Sequence, residues 1–90
     1  MSTFRVVLTA EAQSDLRGLD PATQTRVLDK LEWMGDNAGL LRHQAMQGDE
    51  WQGCFKYRVG DYRIIYQMDW PGKRMIVLKI GHRRDVYSGI

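Results

Sequence analysis

Basic side chains crowd a short stretch in the second half of this sequence. The run "KYRVGDYRIIY" carries Lys56, Arg58 and Arg63 around a Gly-Asp pair, and Lys79 and Arg83 follow it. Arginine presents a planar fork that matches two phosphate oxygens, and lysine presents a compact charge. Because like charges repel, such a cluster predicts either a well-solvated surface or a site for an anion, with a phosphodiester as the natural ligand.

The charge of the chain is divided unevenly between its two halves. Residues 1–50 have a net charge of −3, residues 51–90 have +5, and the whole chain has +2. A basic half on a small domain indicates a polyanionic ligand such as nucleic acid, or an acidic protein partner. Charge alone leaves open the alternative of a solvated surface with no ligand.

Two kinds of chemistry fit this set of residues. In RNA cleavage, the 2′-hydroxyl of the RNA attacks the adjacent phosphate, and Arg63 and Arg83 stabilise the pentavalent phosphate. Lys56, His82 or Tyr87 would then move protons. Lysine and tyrosine ordinarily titrate far above neutral pH, so either needs neighbouring cations in order to act as a base. In the alternative, the same residues only bind an anion.

Other reaction chemistries lack their usual residues. One cysteine and two histidines match no metal-ligand spacing, and no paired-carboxylate motif accompanies the basic residues. Neither a glycine-rich phosphate loop nor a nucleophile elbow is present, so we expect no metal and no cofactor. A single cysteine allows no internal disulfide, which fits a cytoplasmic protein. No apolar run is long enough for a signal peptide or a membrane span.

The first half of the chain predicts a strand and two helices. The β-branched and aromatic run over residues 3–8 is typical of a strand. Thr9 can cap a first helix that ends near Gly18, and Asp20 followed by Pro21 is typical of the start of a second helix. The second helix has an apolar stripe at helical spacing, formed by Val27, Leu28, Leu31 and Met34.

From Trp51 onward the apolar pattern alternates with a period of two, which predicts a three-stranded antiparallel meander. The phase expected to face the core contains Trp51, Phe55, Tyr57, Val59, Tyr62, Ile64, Tyr66, Ile76, Leu78 and Ile80. The opposite phase contains Cys54, Lys56, Arg58, Arg63, Ile65, Met75, Val77 and Lys79. Residues 38–50, which precede the meander, are expected to form a connection with one helical turn over residues 40–45.

These elements combine into one α+β domain that spans residues 1–90. Their order, β-α-α-β-β-β, predicts a two-helix hairpin packed on one face of a small, mainly antiparallel, twisted sheet. Ninety residues with 43% hydrophobic composition are enough for a single core. The sheet face opposite the helices is then left for water or a ligand, and strand register gathers the basic residues there.

Two separated motifs give the chain a specific resemblance. The segment "WQGCFKYRVGDYRIIYQMD", residues 51–69, and the later "IGHRRDVY", residues 80–87, resemble the RelE/ParE family of bacterial type II toxin–antitoxin toxins. The likeness covers essentially the whole chain and implies a RelE/ParE-like fold. One position departs from the nuclease members of the family, which often carry a further basic residue where Cys54 stands.

The resemblance implies two functions. RelE-like members are ribosome-dependent endoribonucleases that cut mRNA in the A site and inhibit translation, whereas ParE-like members inhibit DNA gyrase. We take the first as the main expectation and the second as the alternative. Members of both kinds are neutralised by a small antitoxin, so we expect a cognate acidic antitoxin and a toxin–antitoxin hetero-oligomer.

The resemblance and the shared sheet face also assign roles to individual residues. The expected catalytic residues are Lys56, Arg63, Arg83 and Tyr87. The expected RNA- or phosphate-binding residues are Arg58, Lys79 and His82. None of these roles requires a bound metal or cofactor.

Overall fold

The order of strands in the sheet decides which residues can meet. The computed structural model describes residues 3–84 of the chain. Its elements are β1 (Arg5–Leu8), α1 (Ala10–Arg17), α2 (Pro21–Asp36), β2 (Gln44–Ala45), β3 (Phe55–Val59), β4 (Tyr62–Asp69) and β5 (Arg74–His82), with a short 3₁₀ turn at Asp49–Trp51. The strands form one sheet in the order β1-β5-β4-β3-β2, in which β1 runs parallel to β5 and the other pairs are antiparallel.

Both helices begin where the sequence predicts. The Thr9 hydroxyl oxygen accepts a hydrogen bond from the Ala12 amide at 3.1 Å, and the Asp20 carboxylate accepts one from the Thr23 amide at 3.1 Å. Pro21 occupies the first turn of α2, where its missing N–H costs no hydrogen bond. These caps satisfy backbone donors that the first turn of a helix would otherwise leave unpaired.

The two helices pack on one face of the sheet and enclose the main core with it. The fully or almost fully buried side chains of this core include Ala12, Val27, Leu31 and Met34 from the helices and Ile64, Tyr66, Met75 and Val77 from the strands. The prediction of an α+β domain with a helix hairpin on one sheet face is therefore confirmed. Gly35 lets α2 approach β1 closely, because a Cβ at this position would lie only 2.8 Å from the Phe4 carbonyl oxygen.

Beyond the end of β1, side chains at the start of α1 and within it bond to the exposed backbone of β5. The Asp15 carboxylate of α1 accepts a hydrogen bond from the Ile80 amide at 3.0 Å, and the Thr9 hydroxyl donates to the Leu78 carbonyl at 3.2 Å. The second half of β5 pairs with β4 along one edge, and side chains of the helix region bond to its other edge.

The first half of β5 faces the opposite way from the prediction. Met75 and Val77 are fully buried in the main core, whereas Ile76 pairs with Gln67 and Leu78 packs on the other face of the sheet. The prediction that Ile76 and Leu78 face the core was therefore wrong. Both phases of this strand carry large apolar side chains, so alternation alone could not decide between them.

A β-bulge in the middle of β5 restores the predicted orientation of its second half. Tyr66 pairs with Val77, but the preceding Ile65 pairs with Lys79, so β5 has one extra residue at this point. Such a bulge shifts the residues that follow it to the other phase of the strand. As a result Lys79 lies on the face opposite the helices, and Ile80 returns to the core.

The segment between α2 and β3 also differs from the prediction. In place of a helical turn over residues 40–45, the chain forms the short edge strand β2, which pairs with β3. His43 anchors this segment, because its Nε2 donates to the Ala38 carbonyl at 2.9 Å and its Nδ1 lies 2.7 Å from the Tyr66 hydroxyl. These side-chain bonds join residues far apart in sequence and leave no periodic signal.

Candidate functional site

Four basic residues share the sheet face opposite the helices. We call this surface the basic face, and its residues are Lys56, Arg58, Arg63 and Lys79. Lys56 and Lys79 both pair with Ile65, and Arg58 pairs with Arg63 in the neighbouring row. Directly opposed residues on antiparallel strands have Cβ atoms about 4.5–5.5 Å apart. The structure therefore brings these four residues together in two adjacent rows.

The two arginines of the basic face turn back toward one carbonyl group at the β3–β4 turn. Arg58 Nε donates to the Gly60 oxygen at 3.1 Å. Arg63 Nη1 donates to the same oxygen at 3.5 Å and to the Tyr62 oxygen at 3.3 Å. Within residues 3–84, neither guanidinium forms a salt bridge with a carboxylate. The carbonyl dipoles offset part of the repulsion between the arginines, and both retain donors for an anion.

The two lysines of the basic face have different surroundings. Lys79 Nζ lies 3.1 Å from the Glu11 carboxylate, and its side chain is 22% exposed. Lys56 has no carboxylate partner in the described part of the chain. The Glu11 side chain is 59% exposed, and an ion pair that reaches solvent in this way contributes only about 0.2–1 kcal/mol, so an incoming anion can compete with Glu11 for Lys79.

The end of β5 ties Arg83 to the β3–β4 turn and places His82 on the helix side of the sheet. The Arg83 amide donates to the Asp61 carbonyl at 2.8 Å, which ties the end of β5 to the β3–β4 turn. His82 pairs with Tyr62, and their rings are in edge contact with centroids 5.7 Å apart on the opposite face from the four basic residues. The structure therefore does not bring His82 together with them. Tyr87 lies outside the described residues.

A second, smaller apolar cluster lies at the base of the basic face, and the sequence prediction missed it. Cys54 and Ile65 are buried there, and Met46, Trp51 and Leu78 pack against them. Trp51 was predicted to face the main core, and this was wrong because β3 begins only after it, so the alternation does not extend that far. The available signal was Ile65, a large apolar residue between Arg63 and Gln67 in the otherwise polar phase of β4.

The buried Tyr66 and the half-buried His43 form a pair on the helix side of the sheet, away from the basic face. Burial raises the pKa of Tyr66 to about 12. The hydroxyl therefore stays protonated and is hydrogen-bonded to His43 Nδ1 at 2.7 Å, while His43 Nε2 donates to the Ala38 carbonyl. This pair holds the chain between α2 and β3 in place and supplies no acid or base to the basic face.

The described residues contain neither a metal-binding cluster nor a membrane-spanning helix beside the basic face. Within residues 3–84, no group of three or more His, Cys, Asp or Glu side chains is arranged to hold a metal ion. Neither of the two helices is long and apolar enough to cross a membrane. The basic face offers fixed positive charges and hydrogen-bond donors, which can bind a phosphodiester and stabilise negative charge that develops on it.

The sequence matches a known family over nearly its whole length. The family model described as the ParE toxin of the type II toxin–antitoxin system parDE matches residues 6–87. The chain belongs to the RelE/ParE family of type II toxins. The toxin is also similar to Toxin RelG of Mycobacterium tuberculosis, with 31% identity over 88 residues that cover 93% of this chain and 95% of the relative. The family predicted from the two motifs is confirmed.

Solved structures of toxins share the fold. The toxin superposes with a TM-score of 0.82 and 24% identity on the toxin–antitoxin complex RelBE2 of Mycobacterium tuberculosis, covering 94% of this chain and 97% of the other. For the RelE–RelB complex of Pyrococcus horikoshii the TM-score is 0.72 with 25% identity, covering 93% and 99%. For the isolated RelE toxin of E. coli it is 0.72 with 17% identity, covering 88% and 83%. The predicted RelE/ParE-like fold is thereby confirmed.

Proposed function

We propose that the toxin is an endoribonuclease that cuts ribosome-bound mRNA and so inhibits translation. The observation that carries this proposal is the convergence of Arg58 and Arg63 on the Gly60 carbonyl, with no carboxylate paired to either arginine in the part of the chain that the structure describes. Two guanidinium groups at this position offer donors to the non-bridging oxygens of one phosphodiester. Similarity to proteins named RelG and RelE supports the nuclease branch of the family.

In the proposed reaction the RNA supplies its own nucleophile. The 2′-oxygen loses its proton and bonds to the adjacent phosphorus, while the bond from phosphorus to the 5′-oxygen breaks and that oxygen gains a proton. The products are a 2′,3′-cyclic phosphate and a 5′-hydroxyl end. Arg63 and Arg83 stabilise the extra negative charge of the pentavalent state, and Lys56 and Tyr87 transfer the two protons.

Three further residues are proposed to bind the RNA without taking part in the reaction. Arg58 opposes Arg63 across the hairpin and can hold the same phosphate. Lys79 can exchange the Glu11 carboxylate for a phosphate. His82 lies on the other face, so it can contact only RNA that passes beyond the end of β5.

We further propose that a small acidic antitoxin neutralises the toxin by covering the basic face in a hetero-oligomer. Acidic side chains complement four clustered cations, and a covering segment blocks access of RNA. The RelBE2 and archaeal RelE–RelB structures are themselves toxin–antitoxin complexes, which supports a partner of this kind. With mRNA on ribosomes as the target, the toxin acts in the cytoplasm.

Mapping of mRNA 5′ ends after brief induction tests the proposed activity. We expect new 5′-hydroxyl ends in translated messages, and cleavage reduced on the order of 10²-fold in Arg63→Ala and Arg83→Ala, because each loses a charge aimed at the phosphate. Arg17→Ala removes an exposed arginine from α1 and is the matched control, which should cut normally. Undiminished cleavage by a folded Arg63→Ala/Arg83→Ala variant contradicts the proposal.

Inhibition of DNA gyrase is the second candidate function. Two observations favour it: the matching family model is that of a ParE toxin, and Cys54 is buried in the small apolar cluster where nuclease members often carry a basic residue. A supercoiling assay with purified gyrase separates the two candidates. Inhibition of supercoiling without mRNA cleavage selects the gyrase function, and cleavage without inhibition selects the nuclease.

A further inference from the structure

The second helix presents a row of polar and aromatic residues beside its core stripe. Arg26, Lys30 and Trp33 follow one another at intervals of four and three, so they share one side of α2. Together with Arg58 they line an open cleft of about 510 Å³ between α2 and the β3–β4 turn. The cleft lies on the helix side of the hairpin and shares Arg58 with the basic face.

Three cations meet in this cleft. Within residues 3–84, Arg26, Lys30 and Arg58 form no salt bridge, although Asp29 lines the same cleft. Three positive charges against one negative charge leave the cleft with an excess of positive charge. A cleft of this kind lowers the free energy of an anion that enters it.

Aromatic rings hold one of these cations in place before any ligand binds. Lys30 Nζ lies 4.8 Å from the centroid of the Trp33 ring and 5.9 Å from that of Tyr57. Both distances are within the range of attractive cation–π contacts. The lysine therefore loses less conformational freedom on binding than a freely mobile surface lysine does.

The β3–β4 turn joins the cleft to the basic face. The Gly60 carbonyl accepts hydrogen bonds from Arg58, which lines the cleft, and from Arg63, which belongs to the basic face. Arg26 Nη2 lies against the other side of the same glycine, 2.7 Å from the place where a Cβ would stand. Positive charge thus continues around the tip of the hairpin from one surface to the other.

We propose that this cleft is a nucleotide-binding site, with the phosphate held by Arg26, Lys30 and Arg58 and the base against Trp33. The Trp33 side chain is 45% exposed and offers an aromatic surface beside the cations. A nucleotide uses both features, because its phosphate pairs with the cations and its base stacks on the indole. An acidic peptide uses only the cations. The nucleotide belongs either to an RNA strand or to the free mononucleotide pool.

This inference goes beyond the proposed function, because the cleft can bind a nucleotide whether or not the basic face cuts RNA. The test therefore uses a ligand that cannot be cleaved: a fluorescein-labelled 2′-O-methyl RNA hexamer, whose binding to the purified full-length toxin is followed by anisotropy. Arg63→Ala serves as the parent protein, so that the basic face contributes less to the signal. If the toxin fails to cut mRNA but still binds the hexamer in the cleft, the nuclease proposal is wrong and this inference stands.

Substitutions in the cleft have distinct expected effects on hexamer binding. Trp33→Leu keeps an apolar side chain but removes stacking, and should weaken binding about tenfold. A plot of log affinity against log salt concentration has a negative slope. Arg26→Gln should make this slope shallower by about 0.7, as expected for one lost phosphate contact on a single strand. Arg17→Gln removes an exposed arginine outside the cleft and should change neither quantity. Thermal unfolding of each variant verifies that it is folded.

Competition identifies the source of the ligand and the outcomes that overturn the proposal. Displacement of the hexamer by AMP at comparable concentration supports a free nucleotide, and displacement only by unlabelled RNA supports a strand. A decamer of glutamate that competes as well as RNA, with no effect of Trp33→Leu, overturns the proposal in favour of an acidic peptide. Unchanged affinity in both cleft variants also overturns it.

Discussion

Replacing Gly60 with alanine should have two distinct effects at the β3–β4 turn: it strains the backbone, and it displaces the Arg26 guanidinium. Gly60 has a φ of 59°, which L side chains rarely adopt, and a Cβ there would lie 2.7 Å from Arg26 Nη2. Gly53 has a φ of 82°, and its Cβ would have no neighbour within 4 Å. Gly53→Ala is therefore a matched control that introduces strain without a collision.

The expected magnitudes follow from these two environments. A left-handed backbone costs an L residue about 1–2 kcal/mol, and the smaller unfolded-state entropy of alanine offsets about 0.4–1 kcal/mol of this. Each substitution should therefore lower the free energy of unfolding by about 1 kcal/mol, which corresponds to a midpoint shift of roughly 4–8 °C. The collision adds little to the cost for Gly60→Ala, because the far end of the Arg26 side chain can rotate away.

Thermal unfolding and hexamer binding together check this reasoning. We expect the two variants to lose equal stability, to within about 0.5 kcal/mol. Only Gly60→Ala should bind the 2′-O-methyl hexamer more weakly, because only there is Arg26 displaced from the turn. A stability of Gly60→Ala that lies about 2 kcal/mol or more below that of Gly53→Ala contradicts a free rotation of Arg26, because this is the cost of forcing extra atoms into packed surroundings.

Three further predictions concern other contacts. Tyr66→Phe removes the hydroxyl that is hydrogen-bonded to His43, so chemical denaturation should show a loss of about 1–3 kcal/mol in the free energy of unfolding while toxicity persists. Hydrogen bonds, chiefly from Arg74, hold the pKa of Asp69 below its ordinary value. Its folded-state pKa is thus below its unfolded-state pKa, so its stabilising contribution is complete above about pH 4 and is lost as the pH falls through the folded-state pKa. Asp69→Asn should reduce the dependence of the free energy of unfolding on pH in the acid range. An unchanged pH dependence shows that Asp69 is not responsible for it. Glu11→Gln removes the carboxylate that is ion-paired with Lys79, so RNA binding should tighten about two- to fivefold at low salt. A filter-binding assay measures this affinity, and weaker binding by the variant contradicts the prediction.

Local sequence signals accounted for the elements whose structure depends on neighbouring residues. Thr9 and Asp20 cap the helices through bonds to amides three residues away, and such bonds leave a recognisable pattern. The Gly-Asp turn fixed the register of β3 and β4, so the shared face of Lys56, Arg58 and Arg63 could be predicted before the structure.

Features that depend on distant parts of the chain could not be predicted in the same way. The bulge of β5 places Lys79 correctly, yet simple alternation would put Lys79 in the same phase as the buried Met75 and Val77. The route of residues 38–50 depends on His43, whose partner Tyr66 is 23 residues away. The cleft beside Gly60 arises only because α2 packs next to the hairpin, so no local pattern could indicate it.

The register of β3 and β4 places the residues that stabilise the fold on one face of these strands and the residues proposed to bind a ligand on the other. Tyr57, Ile64 and Tyr66 belong to the main core, whereas Lys56, Arg58 and Arg63 occupy the opposite phase of the same strands. Substitutions at exposed surface positions usually change stability by no more than about 0.5 kcal/mol. The scaffold can therefore tolerate a change of target during evolution, because new side chains at positions such as Arg58 alter what the toxin binds while the fold persists.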